Sequence, residues 1–397
     1  MNGTLVQVLL IEDQLSDAVL LQDTLAEAAP GQFVVTHAER LADALRLLRQ
    51  HTFGVILSDL GLPDSHGAET FERLRQAAVH LPIIMLTGLD DEELAVRIVH
   101  AGAQDYLVKG RVPGDLLVRA IRYAIERKRI EDELRQRNEQ MAEDLAMARE
   151  FQAAFLPRRF PRFQHAADPS ASALQFYCTY KPSGSVGGDF YTVFPVGETR
   201  AGIFLADVMG HGVRAALVTA MIRGLVEELK PLAHEPSRFL SALNRLLVDV
   251  LRQTDTMMFV TAYYIVVDVT DFHVNYAAAG HPAPLLIDGQ TRAVTALNHR
   301  QEPGGPVLGL FEDTDFPAST GQVHPGDLLV LFTDGIYEVP NPAGEEFSYE
   351  RFVAAVEEAA GREPQQLLDD LVAAAQRFAA PNDFVDDVCL LGVKFTR

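Results

Sequence analysis

The sequence predicts a mixed chain in three regions: an α/β doubly wound domain, a long helix of coiled-coil type, and an α+β layered sandwich. Three observations predict it. Residues 5–120 alternate short β-branched runs with amphipathic stretches, the pattern of a parallel sheet covered on both faces. A polar-rich helical pattern then runs from about 115 to 156 with no Gly or Pro between Gly114 and Pro157. Beyond it, many strand-like runs are broken by a few long helices. The domain limits read from this are 1–120, 121–156 and 157–397.

In the first region the strands are "VQVLLI" (6–11), "FVVT" (33–36), "FGVILS" (53–58), "PIIMLT" (82–87) and "DYLVK" (105–109), with helices such as "DAVLLQDTLAEAA" between them. Such a sheet places its ligand site at the carboxyl ends of its strands. In the helical region Leu134, Asn138, Met141, Leu145, Ala148, Gln152 and Phe155 alternate at spacings of four and three. That is a coiled-coil seam, with Asn138 as a register-setting polar position favouring a parallel dimer. A Pro- and Ser-containing connector, 157–173, follows. The third region offers the strands "LQFYCTY", "RAGIFLADV", "FVTAYYIVVDV", "HVNYAAAG" and "DLLVLFTDG", and helices over 214–230, 236–253 and 364–380.

Composition narrows the function. At 397 residues the chain is too long for one ordinary core. Its 34 basic against 55 acidic residues give a net charge of −21, which excludes a nucleic-acid grip built on phosphate neutralisation. Two cysteines, Cys178 and Cys389, supply neither a disulfide framework nor a zinc set. The first residues read as a strand rather than a signal peptide, and no apolar run is long enough to span a membrane. A cytoplasmic protein without membrane contact is expected.

Charged and hydroxyl residues stand where the strands of the first region hand over to loops. Glu12 and Asp13 follow the first strand, Asp59 the third and Thr87 the fourth, and Lys109 closes the fifth. Clustered carboxylates repel one another unless a cation intervenes, and Mg²⁺ fits oxygen ligands of this kind. Asp59 is then the nucleophile toward a phosphoryl group, with Mg²⁺ and Lys109 neutralising the developing charge. This set resembles the receiver domain of bacterial response regulators over 5–125. The resemblance implies strand order 2-1-3-4-5, an aspartyl phosphate at Asp59, and metal held by Glu12, Asp13, Asp59 and the Gly61 carbonyl. It also implies switch residues Thr87 and Tyr106, and a sensor histidine kinase as partner. The sequence "VKG" departs from the family, which often has proline after its lysine.

The stretch "VGGDFY" (186–191) sets two glycines against one aspartate. Glycine permits close backbone approach and the carboxylate supplies a hard oxygen ligand. A nucleotide cyclase and a metal-dependent phosphatase both write such a stretch. Three further acidic stations separate them, each at the edge of an apolar run: Asp207 in "FLADVMGHG", Asp334 in "LVLFTDGIYE", and Asp386 with Asp387 in "NDFVDDVCLLGV". Two bridged divalent cations that activate a water give all four a common reason.

The order GGD, D-x-x-GHG, TDG and DD resembles the PPM family of metal-dependent serine/threonine phosphatases. Within it, the match is to the branch holding the stage II sporulation and stress sigma-regulator phosphatases, over about 150–397. "AREFQAAFLP" and "AAAGHPAPLL" belong to the match. The resemblance implies an αββα sandwich and two Mn²⁺ or Mg²⁺ ions. Asp189, Asp207 and the Val208 carbonyl would hold the bridged pair, with Asp334 and Asp386 completing it. Asp386 is preferred to Asp387 because the first of the pair is the family's ligand. Cys389 stands where the family commonly has Thr or Ser, and the general-acid histidine of the eukaryotic branch has no counterpart. His211 and His281 are read as turn-bracing residues.

Together these readings predict a response regulator in which Asp59 phosphorylation alters the face near Tyr106, from which the helix departs toward the phosphatase core. A phosphorylated anti-sigma-factor antagonist is the substrate that the resemblance implies, and a homodimer through the helix is expected. The other readings are a receiver-linked cyclase and an adaptor with a non-catalytic phosphatase-like domain.

Overall fold

The computed structural model describes residues 5–88, 97–110, 112–157, 159–165, 168–253, 257–297 and 305–396. Parts of the connector read at 157–173, residues 158 and 166–167, lie outside them. The chain divides into two compact units, Met1–Ala142 and Glu143–Arg397.

The first unit is a five-stranded parallel sheet of β1 (Val6–Ile11), β2 (Phe33–Ala38), β3 (Val55–Asp59), β4 (Ile83–Thr87) and β5 (Asp105–Val108). Its order, β2-β1-β3-β4-β5, is the doubly wound one expected. Because side chains alternate along a strand, each apolar run feeds two cores. Leu9, Ile11, Ile56 and Met85 pack against α2 (Leu41–Gln50) and α3 (Ala68–Ala77). Val8, Leu10, Leu57 and Leu86 meet α1 (Leu15–Ala28) and the first turns of α4 (Gly114–Phe155).

Helix α4 is continuous over 42 residues and contributes to both units. The structure divides it differently from the limits read at 120 and 156. Leu117, Ile121 and Ala124 are buried in the first unit's core, so the helix is still part of that unit beyond residue 120. At the other end Gln152 is buried and Phe155 packs against a core of the second unit. The regular heptad spacing therefore hides a change of role. Leu134 and Met141 stand 58% and 63% exposed, as a seam without its partner would, whereas Gln152 and Phe155 turn into their own unit and are not seam positions.

The second unit is a sandwich of two five-stranded sheets. One holds β7 (Asp189–Val196), β8 (Arg200–Val208), β9 (Val260–Asp268), β10 (His273–Ala279) and β13 (Ser319–Gln322), in that order. The other runs β6 (Leu174–Lys181), β15 (Val388–Phe395), β14 (Leu328–Phe332), β11 (Leu285–Ile287) and β12 (Val294–Ala296). Tyr191, Ile203, Leu205, Tyr263 and Ile265 face Leu329, Leu331, Leu391 and Val393 between the sheets. The alternate residues Phe190, Phe204 and Tyr264 pack outward under α5 (Val213–Leu229) and α6 (Pro236–Leu251). On the far side Val330, Phe332 and Leu390 pack under α7 (Tyr349–Ala359) and α8 (Pro364–Ala379).

The layers are thus helix, sheet, sheet, helix. With both faces of each central strand covered, runs such as "GIFLA" are apolar without alternation. Phe239 of α6 stacks on Tyr264 at 4.3 Å between centroids. Its full burial contributes about 1.5–3 kcal/mol. Strand β7 and helix α7 were not among the elements read from the sequence. Their signals were present, an aromatic and β-branched run "DFYTVFPV" and an amphipathic "YERFVAAVEEA" capped by Ser348.

Candidate active sites

In the first unit, the parallel strands end on one edge and deliver their polar residues together. Glu12, Asp13 and Asp59 bring ligand oxygens within 4.8 Å of one another. Lys109 stands just beyond β5 and reaches Asp59 Oδ2 at 2.7 Å and Glu12 Oε2 at 2.6 Å. Burial works against its ammonium, but the Asp59 and Glu12 carboxylates win and raise its pKa above the usual value. Burial likewise pushes Glu12 above the ordinary carboxylate range, with Lys109 opposing. The second Asp59 oxygen, Oδ1, accepts from the Leu60 amide at 2.7 Å.

Thr87 ends β4, fully buried, and its hydroxyl has no hydrogen-bond partner among the described residues. Gly61 lies two residues past Asp59, exposed, in a short ladder with His66. Gly110, in place of a proline after Lys109, takes a left-handed φ of 73°. Tyr106 is half-buried on the face of the sheet that carries α2 and α3. The opening of α4 packs on the opposite face. The helix therefore does not depart from the Tyr106 face, as the sequence reading had it, because Tyr106 and Leu107 alternate across β5.

In the second unit, antiparallel register sets Asp189, the first residue of β7, directly opposite Asp207 near the end of β8. Asp334 opens a one-turn helix after β14, and Asp386 lies just before β15. Close approach of these loops needs glycine. A Cβ on Gly188 would sit 2.6 Å from the Val208 carbonyl oxygen, and one on Gly335 2.1 Å from the Asp387 carbonyl oxygen. Gly210 and Gly212 turn the chain after Val208 with left-handed φ of 82° and 83°.

The electrostatics of this set are those of buried like charges. Burial, then the neighbouring Asp207, raises Asp189 well above the usual carboxylate value. Burial, then Asp334 and Asp386, does the same to Asp207. Asp334 and Asp386 are also raised, first by burial. Among the described residues no Lys or Arg pairs with them as Lys109 pairs with Asp59, and only His211 opposes the rise at Asp386. One buried oxygen, Asp189 Oδ1, has no hydrogen-bond partner. An unpartnered carboxylate oxygen among crowded, half-buried acids is the donor set a divalent ion fits. These carboxylates are spread more widely than the first unit's, since among the described residues only Glu12, Asp13 and Asp59 bring three ligand atoms within 4.8 Å.

Asp387 has a different task from Asp386. It is buried and accepts from the Ser183 amide at 2.7 Å, the Ser183 hydroxyl at 3.1 Å and the Gly188 amide. Its oxygens are spent on holding the GGD loop. Asp386 Oδ1 accepts only from the Asp387 amide, at 2.8 Å. His281 is buried with Nδ1 2.8 Å from the Thr261 hydroxyl, and burial lowers its pKa to about 3. It is neutral near pH 7 and braces β9.

Two residues near the site escaped the sequence reading. Thr333 bonds Asp189, and Gln152, assigned to the seam by its spacing, clamps the Gly187 peptide. Only the adjacency of Thr333 to Asp334 could have signalled the first.

Residues 197–396, half of the chain, match the family described as Stage II sporulation protein E. The chain belongs to the SpoIIE family. Residues 8–122 match the response regulator receiver domain, so a receiver is joined here to a SpoIIE-type phosphatase domain. Among curated relatives, the phosphoserine phosphatase RsbU of Bacillus subtilis is 31% identical over 170 residues, 43% of this chain and 48% of that protein. The phosphoserine phosphatase RsbP of the same organism is 29% identical, over 42% of this chain and 40% of that protein. Protein IcfG of Synechocystis is 26% identical, over 53% and 35%. The chain thus spans between about a third and a half of the length of these relatives.

The SiaA-PP2C domain of Pseudomonas aeruginosa superposes with a TM-score of 0.54 at 23% identity, over 65% of this chain and 98% of that one, and shows the shared fold. Among the described residues no helix is long and apolar enough to cross a membrane.

Gly188→Ala tests the need for close approach. Its methyl group meets two carbonyl oxygens, Val208 at 2.6 Å and Gly210 at 2.9 Å, so the loop before β7 and the loop after β8 must move apart. Overpacking of this kind costs about 1–3 kcal/mol. Chemical denaturation and Mn²⁺ titration of the variant should show that loss of stability together with weakened metal binding.

Proposed function

We propose that the chain is a response regulator in which phosphorylation of Asp59 controls a metal-dependent phosphoserine/phosphothreonine protein phosphatase. The observation that carries the reading is the crowding of Asp207, Asp334 and Asp386 around the buried Asp189, one oxygen of which has no hydrogen-bond partner among the described residues. Asp189, Asp207, the Val208 carbonyl, Asp334 and Asp386 would hold two Mn²⁺ or Mg²⁺ ions. When bound, such ions neutralise the carboxylates, offset the charge of the phosphoryl oxygens and lower the pKa of a water nucleophile. Asp387 and the glycines of the GGD loop keep the ligands in register. Since His281 is neutral and engaged with Thr261, it supplies no proton to the leaving serine.

In the receiver, Glu12, Asp13, Asp59 and the Gly61 carbonyl would hold Mg²⁺. The Asp59 carboxylate takes the phosphoryl group, Lys109 neutralises it, and the unpartnered Thr87 hydroxyl is free to meet a phosphoryl oxygen. A sensor histidine kinase is the expected phosphodonor. Toward the phosphatase the path runs along α4. Gln152, near its end, donates to the Gly187 carbonyl at 2.6 Å and accepts from the Gly187 amide at 2.9 Å. A shift of the helix is thereby felt two residues from Asp189. The exposed Leu134 and Met141 support pairing of two chains through the middle of the helix. The likeness to RsbU and RsbP supports a phosphorylated anti-sigma-factor antagonist as substrate.

Asp189→Ala and Asp334→Ala each remove a ligand while relieving repulsion, so both variants should stay folded. Each should lower Mn²⁺-dependent hydrolysis of p-nitrophenyl phosphate and of a phosphoserine peptide by about a hundredfold or more. Near-native turnover at saturating Mn²⁺ in either variant excludes the two-metal assignment, whereas a wild-type chain without Mn²⁺-dependent turnover leaves the adaptor.

Incubation with acetyl phosphate and Mg²⁺ should label the wild-type chain with an acid-stable, base-labile phosphoryl group and leave Asp59→Asn unlabelled. Equal labelling of the two would remove Asp59 from the mechanism.

A further inference from the structure

Thr333 is fully buried at the junction between β14 and the turn that carries Asp334. Its main chain pairs with β15, the Thr333 amide donating to the Cys389 carbonyl at 3.1 Å. Its hydroxyl oxygen accepts from the Cys389 amide at 2.9 Å and stands 2.7 Å from Asp189 Oδ2. A hydroxyl has one proton and two lone pairs. With the Cys389 N–H directed at a lone pair, the proton is committed to the Asp189 carboxylate. Three strands that are distant in sequence, β14, β15 and β7, are therefore joined by one oriented relay.

The relay has a consequence for Asp189. Its Oδ2 is occupied by Thr333, while its Oδ1 is buried and has no hydrogen-bond partner among the described residues. The two oxygens of one carboxylate are made inequivalent, one anchored and one left to coordinate. We propose that Thr333 is a positioning residue that fixes the Asp189 carboxylate so that Oδ1 is the oxygen presented to the divalent ion, and that it thereby sets the metal affinity of the phosphatase. This rests on the two-metal reading above. The relay also gives a reason for Cys389 to stand where a hydroxyl residue is common, because its contact with Thr333 is made by the backbone and not by the thiol.

The test is Mn²⁺ binding by calorimetry to the intact chain, alongside p-nitrophenyl phosphate kinetics. Asp189→Ala serves as the reference for loss of the site. If Asp189→Ala binds Mn²⁺ as the wild type does, the metal-site reading itself fails. If it loses binding, Thr333 is tested in its own right. Thr333→Val keeps the shape and removes the hydroxyl. It should bind Mn²⁺ about 10–100-fold more weakly, the usual effect of losing a partner that orients a ligand. At saturating Mn²⁺ its KM for substrate should match the wild type.

Thr333→Ser keeps the hydroxyl and should restore affinity to within a few-fold. Should Thr333→Val not fold, Thr333→Cys, with its weaker donor, is expected to lie between Ser and the Asp189→Ala reference. Wild-type Mn²⁺ affinity in Thr333→Val or Thr333→Cys would overturn the proposal. So would a Thr333→Ser variant as weak as either of them, since that outcome assigns Thr333 to packing alone.

Discussion

The repulsion among Asp189, Asp207, Asp334 and Asp386 is the constraint on which the phosphatase domain depends. Four carboxylates crowded together, Asp189 buried and the other three half-buried, are costly to keep ionised, and each has its pKa raised. They are held there because each stands at the end of a strand whose other residues are locked into the sandwich. Asp189 and Asp207 face each other through the β7–β8 register, and Asp386 is fixed by the pairing of β15 with β14 and β6. The cores under α5–α6 and α7–α8 supply the stability that offsets this strain. Glycine at 188 and 335 then removes the side chains that would keep the loops apart.

The receiver answers the same problem differently. Its three clustered acids have an internal cation, Lys109, within 2.7 Å of Asp59 and Glu12. That site is electrically half-satisfied before any ion arrives, and Asp59 has both oxygens engaged. The phosphatase set has no such lysine and is the more demanding of a divalent ion. The difference suits their tasks. On the proposed roles, the phosphoryl acceptor has an ammonium beside it at 2.7 Å, whereas the proposed metal ligands have no lysine beside them among the described residues.

Much of this was legible in the sequence because periodicity and strand-end chemistry are local. The receiver strands, the sandwich and the acidic stations are written in short apolar runs that end in Asp, Glu or Thr, whereas the strand order came from the resemblance. What was not legible depends on which surface a residue meets after folding. Gln152 obeys the heptad spacing of Leu134 and Met141, yet it faces its own domain and bonds the Gly187 peptide. Tyr106 lies on the sheet face under α2 and α3, while the opening of α4 packs on the other. Thr333 stood inside the TDG motif with no role of its own, since its partners Asp189 and Cys389 lie far away along the chain. The preference for Asp386 over Asp387 came from resemblance. Their hydrogen bonds now give it a physical reason, because Asp387 is already spent on Ser183 and Gly188.

Divalent-ion binding needs these carboxylates ionised, the form that burial and neighbouring acids disfavour at Asp189 and Asp207. Calorimetric titration of the intact chain with Mn²⁺, in buffers of different ionisation enthalpy, reads this directly. Carboxyl groups raised above their usual value of 3.8 remain partly protonated as pH rises, and metal binding requires them ionised. Binding should therefore release protons, more at pH 6 than at pH 8, and Asp189→Ala should lose most of that release. Heats that do not depend on the buffer, at either pH, would contradict the account.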